Sequence, residues 1–253
     1  PDVRRMLLGM RSRTEAMRLL CACAALELDK GTRLPDEAAR KAALARAELM
    51  IPIVKGWCTE TGFEVTSLGM QIHGGMGYVE ETGAAQPLRD VRIASIYEGT
   101  TGIQSNDLVN RKLGRDRGAT MQALLRDLLA ELNGLRSLGP EAKAARNAAT
   151  EAVTTLRDTT DALLQMQAER PQLVLSVSVP YLKLCGLAIS GALMARAAAV
   201  AEASLGKGDD EFYRGKLVSC RFYAEQVLPE VLGLARIVKG GAGSVADVPS
   251  ELV

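Results

Sequence analysis

Apolar positions recur at helical spacing almost from the first residue of the chain. Leu7, Met10, Thr14, Met17, Cys21, Ala24 and Leu28 alternate three- and four-residue steps, which predicts one stripe along a helix of about seven turns. Lys30-Gly31-Thr32 supplies a stop, and Pro35-Asp36-Glu37 opens a second helix carrying Ala38, Ala42, Ala45 and Leu49. Pro52 predicts a kink there rather than an end, because the apolar pattern runs on through Ile53 and Trp57. Helical pattern returns over 102–113. After a glycine-flanked charged stretch at 114–118, Met121, Leu124, Leu128, Leu132 and Leu135 form another stripe, ended by Gly139-Pro140. Ala142, Ala145, Ala149, Ala152, Leu156, Thr159, Leu163 and Met166 form the next, closed by Pro171. Residues 173–203 read as a further helix, and Tyr213, Leu217, Cys220, Ala224 and Val227 line one more. No run alternates with period two convincingly enough to predict a strand. The expected fold class is all-α: a helical bundle over 1–113, a linker over 114–119 and a second bundle over 120–253. An aromatic content of only 4% with Ala-rich stripes suits close helix–helix packing.

One region departs from this pattern. Between 69 and 102 the glycines cluster (Gly69, Gly74, Gly75, Gly77, Gly83) and Pro87 interrupts any long helix, so residues are spent on backbone shape. Two motifs lie here. In Gln71-Ile72-His73-Gly74-Gly75-Met76-Gly77-Tyr78, the paired glycines permit close approach of a ligand to the backbone, or simply stop a helix. His73 is the sole histidine and supports neither a metal cluster nor a nucleophilic triad by itself. In Tyr97-Glu98-Gly99-Thr100-Thr101-Gly102-Ile103-Gln104, a carboxylate sits between apolar Ile93, Ile96 and Tyr97 and a helix start. A glutamate in an apolar pocket serves as a general base; a glutamate at a helix start also needs no catalytic role.

Charge and cysteine content narrow the classes. Lys+Arg 31 against Asp+Glu 30 leaves a formal charge of +1, without the basic excess of a general nucleic-acid or membrane-surface binder. Cys21, Cys23, Cys58, Cys185 and Cys220 are scattered with no Cys-x-x-Cys spacing, which argues against zinc or a disulfide framework and for a cytoplasmic location. The apolar stretch 173–203 is interrupted by Pro180, Lys183 and Arg196, so a buried bundle helix is expected rather than a membrane span. No signal peptide is recognisable, and the start at Pro1 inside a helical pattern is how a piece of a longer protein begins.

The stretch QIHGGMGYVEETGAAQPLRDVRIASIYEGTTGIQ, residues 71–104, resembles the C-terminal domain of flavin-dependent acyl-CoA dehydrogenases. That family carries Gln-x-x-Gly-Gly-x-Gly-Tyr/Phe, then Arg-Asp, then Ile-Tyr-Glu-Gly-Thr, in this order and at about this spacing. The resemblance covers residues 1–113 as the family's C-terminal four-helix bundle. Residues 120–253 resemble the extra helical domain of a large bacterial subgroup that includes 3-methylmercaptopropionyl-CoA dehydrogenases. What it implies is oxidation of an acyl-CoA to trans-2-enoyl-CoA, a step of fatty-acid β-oxidation, with FAD as cofactor and electron-transfer flavoprotein as electron acceptor. Glu98 is implied to be the α-proton base, with its backbone N–H binding the substrate carbonyl and with Tyr97 and Gly99 beside it on the substrate side. Gln71, Gly74 and Gly75 are implied to hold the adenosine diphosphate part of FAD, typically that of a neighbouring subunit, hence a homodimer or higher homo-oligomer. Thr100 and Thr101 match flavin-side positions. Gly102 stands where many members have a flavin-contacting Gln, although the longer subgroup commonly has Gly. Arg89-Asp90 is expected to brace the loop. The family's N-terminal helical and middle β-domains have no counterpart in this chain, so the chain alone is expected to be inactive. The competing reading is a binding module that kept the scaffold and lost the chemistry, with Arg4, Arg5, Arg11, Arg13 and Arg18 as a DNA-facing surface; the near-zero total charge speaks against it.

Overall fold

The structure, a computed structural model, describes residues 1–136 and 138–252. Among the described residues there is no strand, and helices follow one another with short breaks. Two long ones open the chain, α1 (Asp2–Arg33) and α2 (Glu37–Ile72). The Asp36 carboxylate accepts from the Ala39 N–H and starts α2 as the sequence predicts, and α2 runs unbroken through Pro52. Short elements occupy the glycine-rich region: α3 (Gly75–Tyr78), a 3-10 turn (Glu80–Thr82), α4 (Gln86–Arg92), a second 3-10 turn (Ile93–Ser95) and α5 (Thr101–Asn106). A π-helical segment (Asp107–Lys112) joins α5 to α6 (Leu113–Asp116). Arg117 and Gly118, both left-handed, then turn the chain into α7 (Ala119–Gly134). The rest is α8 (Pro140–Glu169), α9 (Pro171–Val174), α10 (Ser178–Ser204), α11 (Asp210–Phe222), α12 (Glu230–Gly240) and α13 (Gly243–Ala246). The stripes expected on α7 and α8 are buried there: Met121, Leu124, Leu128 and Leu132 on one, Ala142 through Leu163 on the other. Helix α12 has no counterpart in the sequence reading, although Val231, Ala235 and Val238 mark its buried face.

The stripe of α1 needs correction. Leu7, Cys21 and Leu28 are exposed, and the buried line is Met6, Gly9, Ser12, Ala16, Leu20, Ala24 and Glu27. Likewise Ala38 and Ala42 of α2 are exposed, and Ala43, Ala47 and Met50 face inward. The physical reason is closeness. Helices α1 and α2 lie side by side along most of their length, and the small residues that dominate the two buried lines let their backbones approach. A Cβ on Gly31, for example, would lie 2.5 Å from the Leu44 side chain.

Helix α10 is the centre of the molecule. It packs against α1, α2, α8, α11 and α12, and its burial runs almost continuously from Tyr181 to Ala195. By length and composition the segment Pro171–Ser204 would suffice to cross a membrane, contrary to the sequence-based expectation, but 78% of its most apolar window is buried inside the bundle. The expected single helix over 173–203 is itself broken by the 3-10 turn Leu175–Val177 ahead of α10. Trp57 of α2 presses on Gly186 of α10 so closely that a Cβ there would lie 2.2 Å from its ring. Tyr181, fully buried, shares a 2.8 Å hydrogen bond with Thr160 of α8. One contiguous core therefore includes residues from both sides of the Arg117–Gly118 break.

Candidate functional site

The Glu98 turn is built on α2. Pro87, in the first turn of α4, pre-sets the helical backbone there, and α4 tightens into the 3-10 turn Ile93–Ser95. The chain then reverses through two left-handed residues, Glu98 (φ 54°) and Gly99 (φ 92°), before Thr100 caps α5 by accepting from the Ile103 N–H at 3.3 Å. Gly99 has two reasons to be glycine: its φ, and a Cβ that would meet Gln104 Nε2 at 2.8 Å. Glu98 has no such freedom, and a left-handed backbone costs a non-glycine residue roughly 1–2 kcal/mol. Such strain persists where the surroundings impose it, and it gathers at functional sites.

Several contacts impose it. Lys55 Nζ donates to the carbonyls of Ala94 (2.5 Å) and Tyr97 (3.0 Å) and lies 5.5 Å from the centre of the Tyr97 ring. Thr101 Oγ1 donates to Glu60 Oε1 at 2.5 Å, and Gln104 Nε2 donates to the Glu98 carbonyl at 3.3 Å. Further along α2, the Arg92 guanidinium lies over Phe63 at 5.7 Å while bonding Ser95 Oγ. Tyr97, Glu98, Gly99, Thr100 and Thr101 are thus gathered in one turn. Lys55 and Glu60 escaped the sequence reading, and Gln104 stood in the motif without an assigned role. The first two lie on a helix some forty residues upstream, where nothing local marks them.

The apolar pocket expected around Glu98 is not closed by this chain. Glu98 is exposed, and Ile93, Ile96, Tyr97 and Ile103 are each about half exposed, so the turn presents an open apolar rim. Exposed apolar groups in such a cluster are unusual on a free surface and mark one that receives something.

The second motif ends α2. Gly74 takes φ 61° and ψ −146°, a conformation that essentially only glycine adopts. A Cβ on Gly74 or Gly75 would meet nothing within 4 Å, so Gly75 is not demanded by packing and leaves its backbone open to approach. Gly77 differs: its Cβ would strike the Met70 carbonyl at 2.1 Å. Gln71 is exposed, while His73 Nδ1 sits 2.8 Å from the Gly69 carbonyl on its own helix and has no part in a cluster. From Glu60 to Gln71 the helix rises about 16 Å, so Gln71, Gly74 and Gly75 stand apart from the Glu98 turn. Arg89 pairs with Glu80 at 3.5 Å, bracing the intervening segment; among the described residues Asp90 forms no ion pair.

Other candidates contribute little. Of the five arginines on α1, Arg5, Arg11 and Arg13 are engaged by Asp2, Glu15, Glu64 and Glu230, while Arg4 and Arg18 are exposed. Among the described residues no three His, Cys, Asp or Glu side chains converge as metal ligands. An apolar cavity of about 360 Å³ opens between α1, α10 and α11, and it contains no residue of either motif.

Residues 1–113 match the family model described as acyl-CoA dehydrogenase, C-terminal domain, and residues 119–249 match one described as acetyl-CoA dehydrogenase C-terminal like. The chain is 44% identical over 231 residues, 91% of its length, to 3-methylmercaptopropionyl-CoA dehydrogenase of Ruegeria pomeroyi, covering 39% of that protein. It is 32% identical over 258 residues, 99% of its length, to a butyryl-CoA dehydrogenase of Syntrophomonas wolfei, covering 42% of it. The chain thus spans about two fifths of the length of these curated relatives. Its fold is similar to that of an acyl-CoA dehydrogenase from Bacillus anthracis solved with FAD, at a TM-score of 0.70 and 17% identity, over 98% of this chain and 43% of that one.

Proposed function

This chain belongs to the acyl-CoA dehydrogenase family, and from that membership we propose that it supplies the catalytic base, Glu98, of an enzyme that oxidises acyl-CoA thioesters to trans-2-enoyl-CoA. The observation that carries the reading is the left-handed Glu98, held on α2 at the centre of an exposed apolar rim.

The residues fit FAD as one part of its site. The open backbone at Gly74 and Gly75, with exposed Gln71 beside it, suits close approach of a diphosphate, and Thr100 and Thr101 border the base on the flavin side. FAD, when bound, accepts the β-hydrogen together with its bonding pair as hydride. This chain's task is the proton. The Glu98 carboxylate takes the α-proton, the electron pair released forms the Cα–Cβ double bond as the hydride leaves Cβ, and the protonated Glu98 later returns its proton to solvent. A solvated carboxylate, with a pKa of roughly 4, is far too weak a base for this. The half-exposed Ile93, Ile96, Tyr97 and Ile103 supply a floor that excludes water once the remaining walls close over it. The Glu98 backbone N–H binds the thioester oxygen as charge develops there.

Gln71, Gly74 and Gly75, at and just beyond the far end of α2 from the Glu98 turn, are proposed from the family resemblance to serve the FAD of a neighbouring subunit, which requires a homo-oligomer and most simply a two-fold dimer. Electron-transfer flavoprotein is the proposed acceptor, and β-oxidation in the cytoplasm the setting.

The test is a panel of acyl-CoAs, from butyryl-CoA to long chains and including 3-methylmercaptopropionyl-CoA, mixed with the flavin-loaded enzyme. The flavin should bleach and the enoyl thioester absorbance should rise with at least one member. A flavin that stays oxidised with every member contradicts the reading.

A further inference from the structure

Resting on that reading, we propose that Lys55 is a positioning residue for the reaction. By binding the Tyr97 carbonyl, it sets and strengthens the Glu98 N–H as the donor to the substrate's thioester oxygen.

A trans peptide is planar, with its C=O and N–H pointing in opposite directions. Lys55 projects from α2 and takes the Tyr97 carbonyl at 3.0 Å, so that carbonyl points at α2. The N–H of the same peptide belongs to Glu98, and it must point away from α2. Among the described residues no group accepts that N–H, whereas the Ile96 and Tyr97 N–H groups just before it both donate to the Ile93 carbonyl. The chain thus presents one free, directed donor beside the carboxylate, at the open face of the turn.

The ammonium does more than fill a gap. It also takes the Ala94 carbonyl at 2.5 Å, so two carbonyls left over where the 3-10 turn ends converge on one cation. A charged donor makes the stronger hydrogen bond. Hydrogen bonds in series polarise one another, so a cation on the carbonyl makes the N–H of that peptide a better donor. The same bond ties down the residue before the left-handed Glu98, and the Tyr97 ring shields the ammonium from one side. Removing an oxyanion donor outright costs about 10²–10³ in rate, so weakening one at a remove should cost less, about tenfold to a hundredfold.

The test uses the flavin-loaded enzyme with Lys55→Met, Lys55→Gln and Lys55→Arg. Flavin reduction is followed by stopped flow, and the carbonyl stretch of bound, 13C-labelled enoyl-CoA by infrared difference spectroscopy. Lys55→Met should slow reduction about tenfold to a hundredfold with KM within about twofold of wild type, and should move the stretch to higher frequency. Lys55→Arg should restore most of both. If Lys55→Met does not load flavin, Lys55→Gln carries the comparison, since it removes the charge while keeping a polar side chain; a stretch shifted upward supports the proposal. A stretch and a rate at wild-type values in the neutral variant overturn it. Glu98→Gln separates this from the underlying reading: it should keep the low-frequency stretch while blocking reduction. Loss of that stretch in Glu98→Gln, with Lys55→Met unchanged, also overturns the proposal.

Discussion

Glu98 and Glu15 are both carboxylates on helical scaffolds, and their surroundings give them opposite tasks. Glu98 stands exposed on a strained turn, its side chain uncommitted. Glu15 lies largely inside the junction of α1 and α11. Burial by itself would raise its pKa, but bonds from Lys216 (2.9 Å) and Arg11 (3.1 Å) outweigh it and hold the carboxyl below its ordinary value of 4.5. A depressed folded-state pKa stabilises the fold above the unfolded value, and the benefit disappears as pH falls through the folded one. Glu15→Gln should therefore be less stable than wild type at pH 7, with the two converging as pH drops below about 4 in urea titrations. A gap independent of pH would show that Glu15 contributes packing alone. The sequence singles out Glu98 as a candidate because Tyr-Glu-Gly-Thr is local. Its backbone strain and its support by Lys55 and Glu60 were not legible there, because hydrogen bonds across some forty residues leave no spacing to read; the Gln104 bond is local, but nothing in the sequence marks its direction.

At the scale of elements, period and caps placed α2, α7 and α8 correctly, and the core helix α10 apart from the 3-10 turn Leu175–Val177 that breaks its expected start. Which face turned inward was read well where large apolar residues dominate, as at Met121, Leu124 and Leu128, and poorly on α1, where Gly9, Ser12 and Ala16 form the buried line. Hydrophobicity ranks Leu7 above Gly9, yet close approach of two long helices selects the smaller residue. The two π-helical segments, Asp107–Lys112 and Tyr223–Val227, are equally hidden, since one extra residue per turn leaves composition unchanged. The Trp57–Gly186 contact makes the rule testable. Gly186→Ala drives a methyl into the indole with no room on either side, and overpacking of this kind costs about 1–3 kcal/mol. Trp57 is the sole tryptophan, so its fluorescence reports both the packing and the unfolding midpoint. The variant should unfold at lower urea with altered native emission; an unchanged midpoint and spectrum would mean that the helices separate at no cost.

Taken whole, the two halves of the chain behave as one body around α10. The core is continuous across Arg117–Gly118, and a cluster of Arg13, Glu64, Lys183 and Glu230 ties α1, α2, α10 and α12 together at 3.1–3.7 Å. Single exposed pairs contribute little, but a shared cluster fixes the relative seating of four helices. That seating positions α2, and α2 in turn positions the Glu98 turn. The extra helices therefore act on the proposed site through rigidity, with none of their side chains in it. The claim at the centre remains the base. Stopped-flow reduction of the flavin-loaded Glu98→Gln enzyme by its best acyl-CoA tests it most directly, because the substitution keeps shape and removes only the proton acceptor. Reduction should fall by at least roughly 10²–10⁴-fold while substrate still perturbs the flavin spectrum. Reduction at close to the wild-type rate would contradict the account.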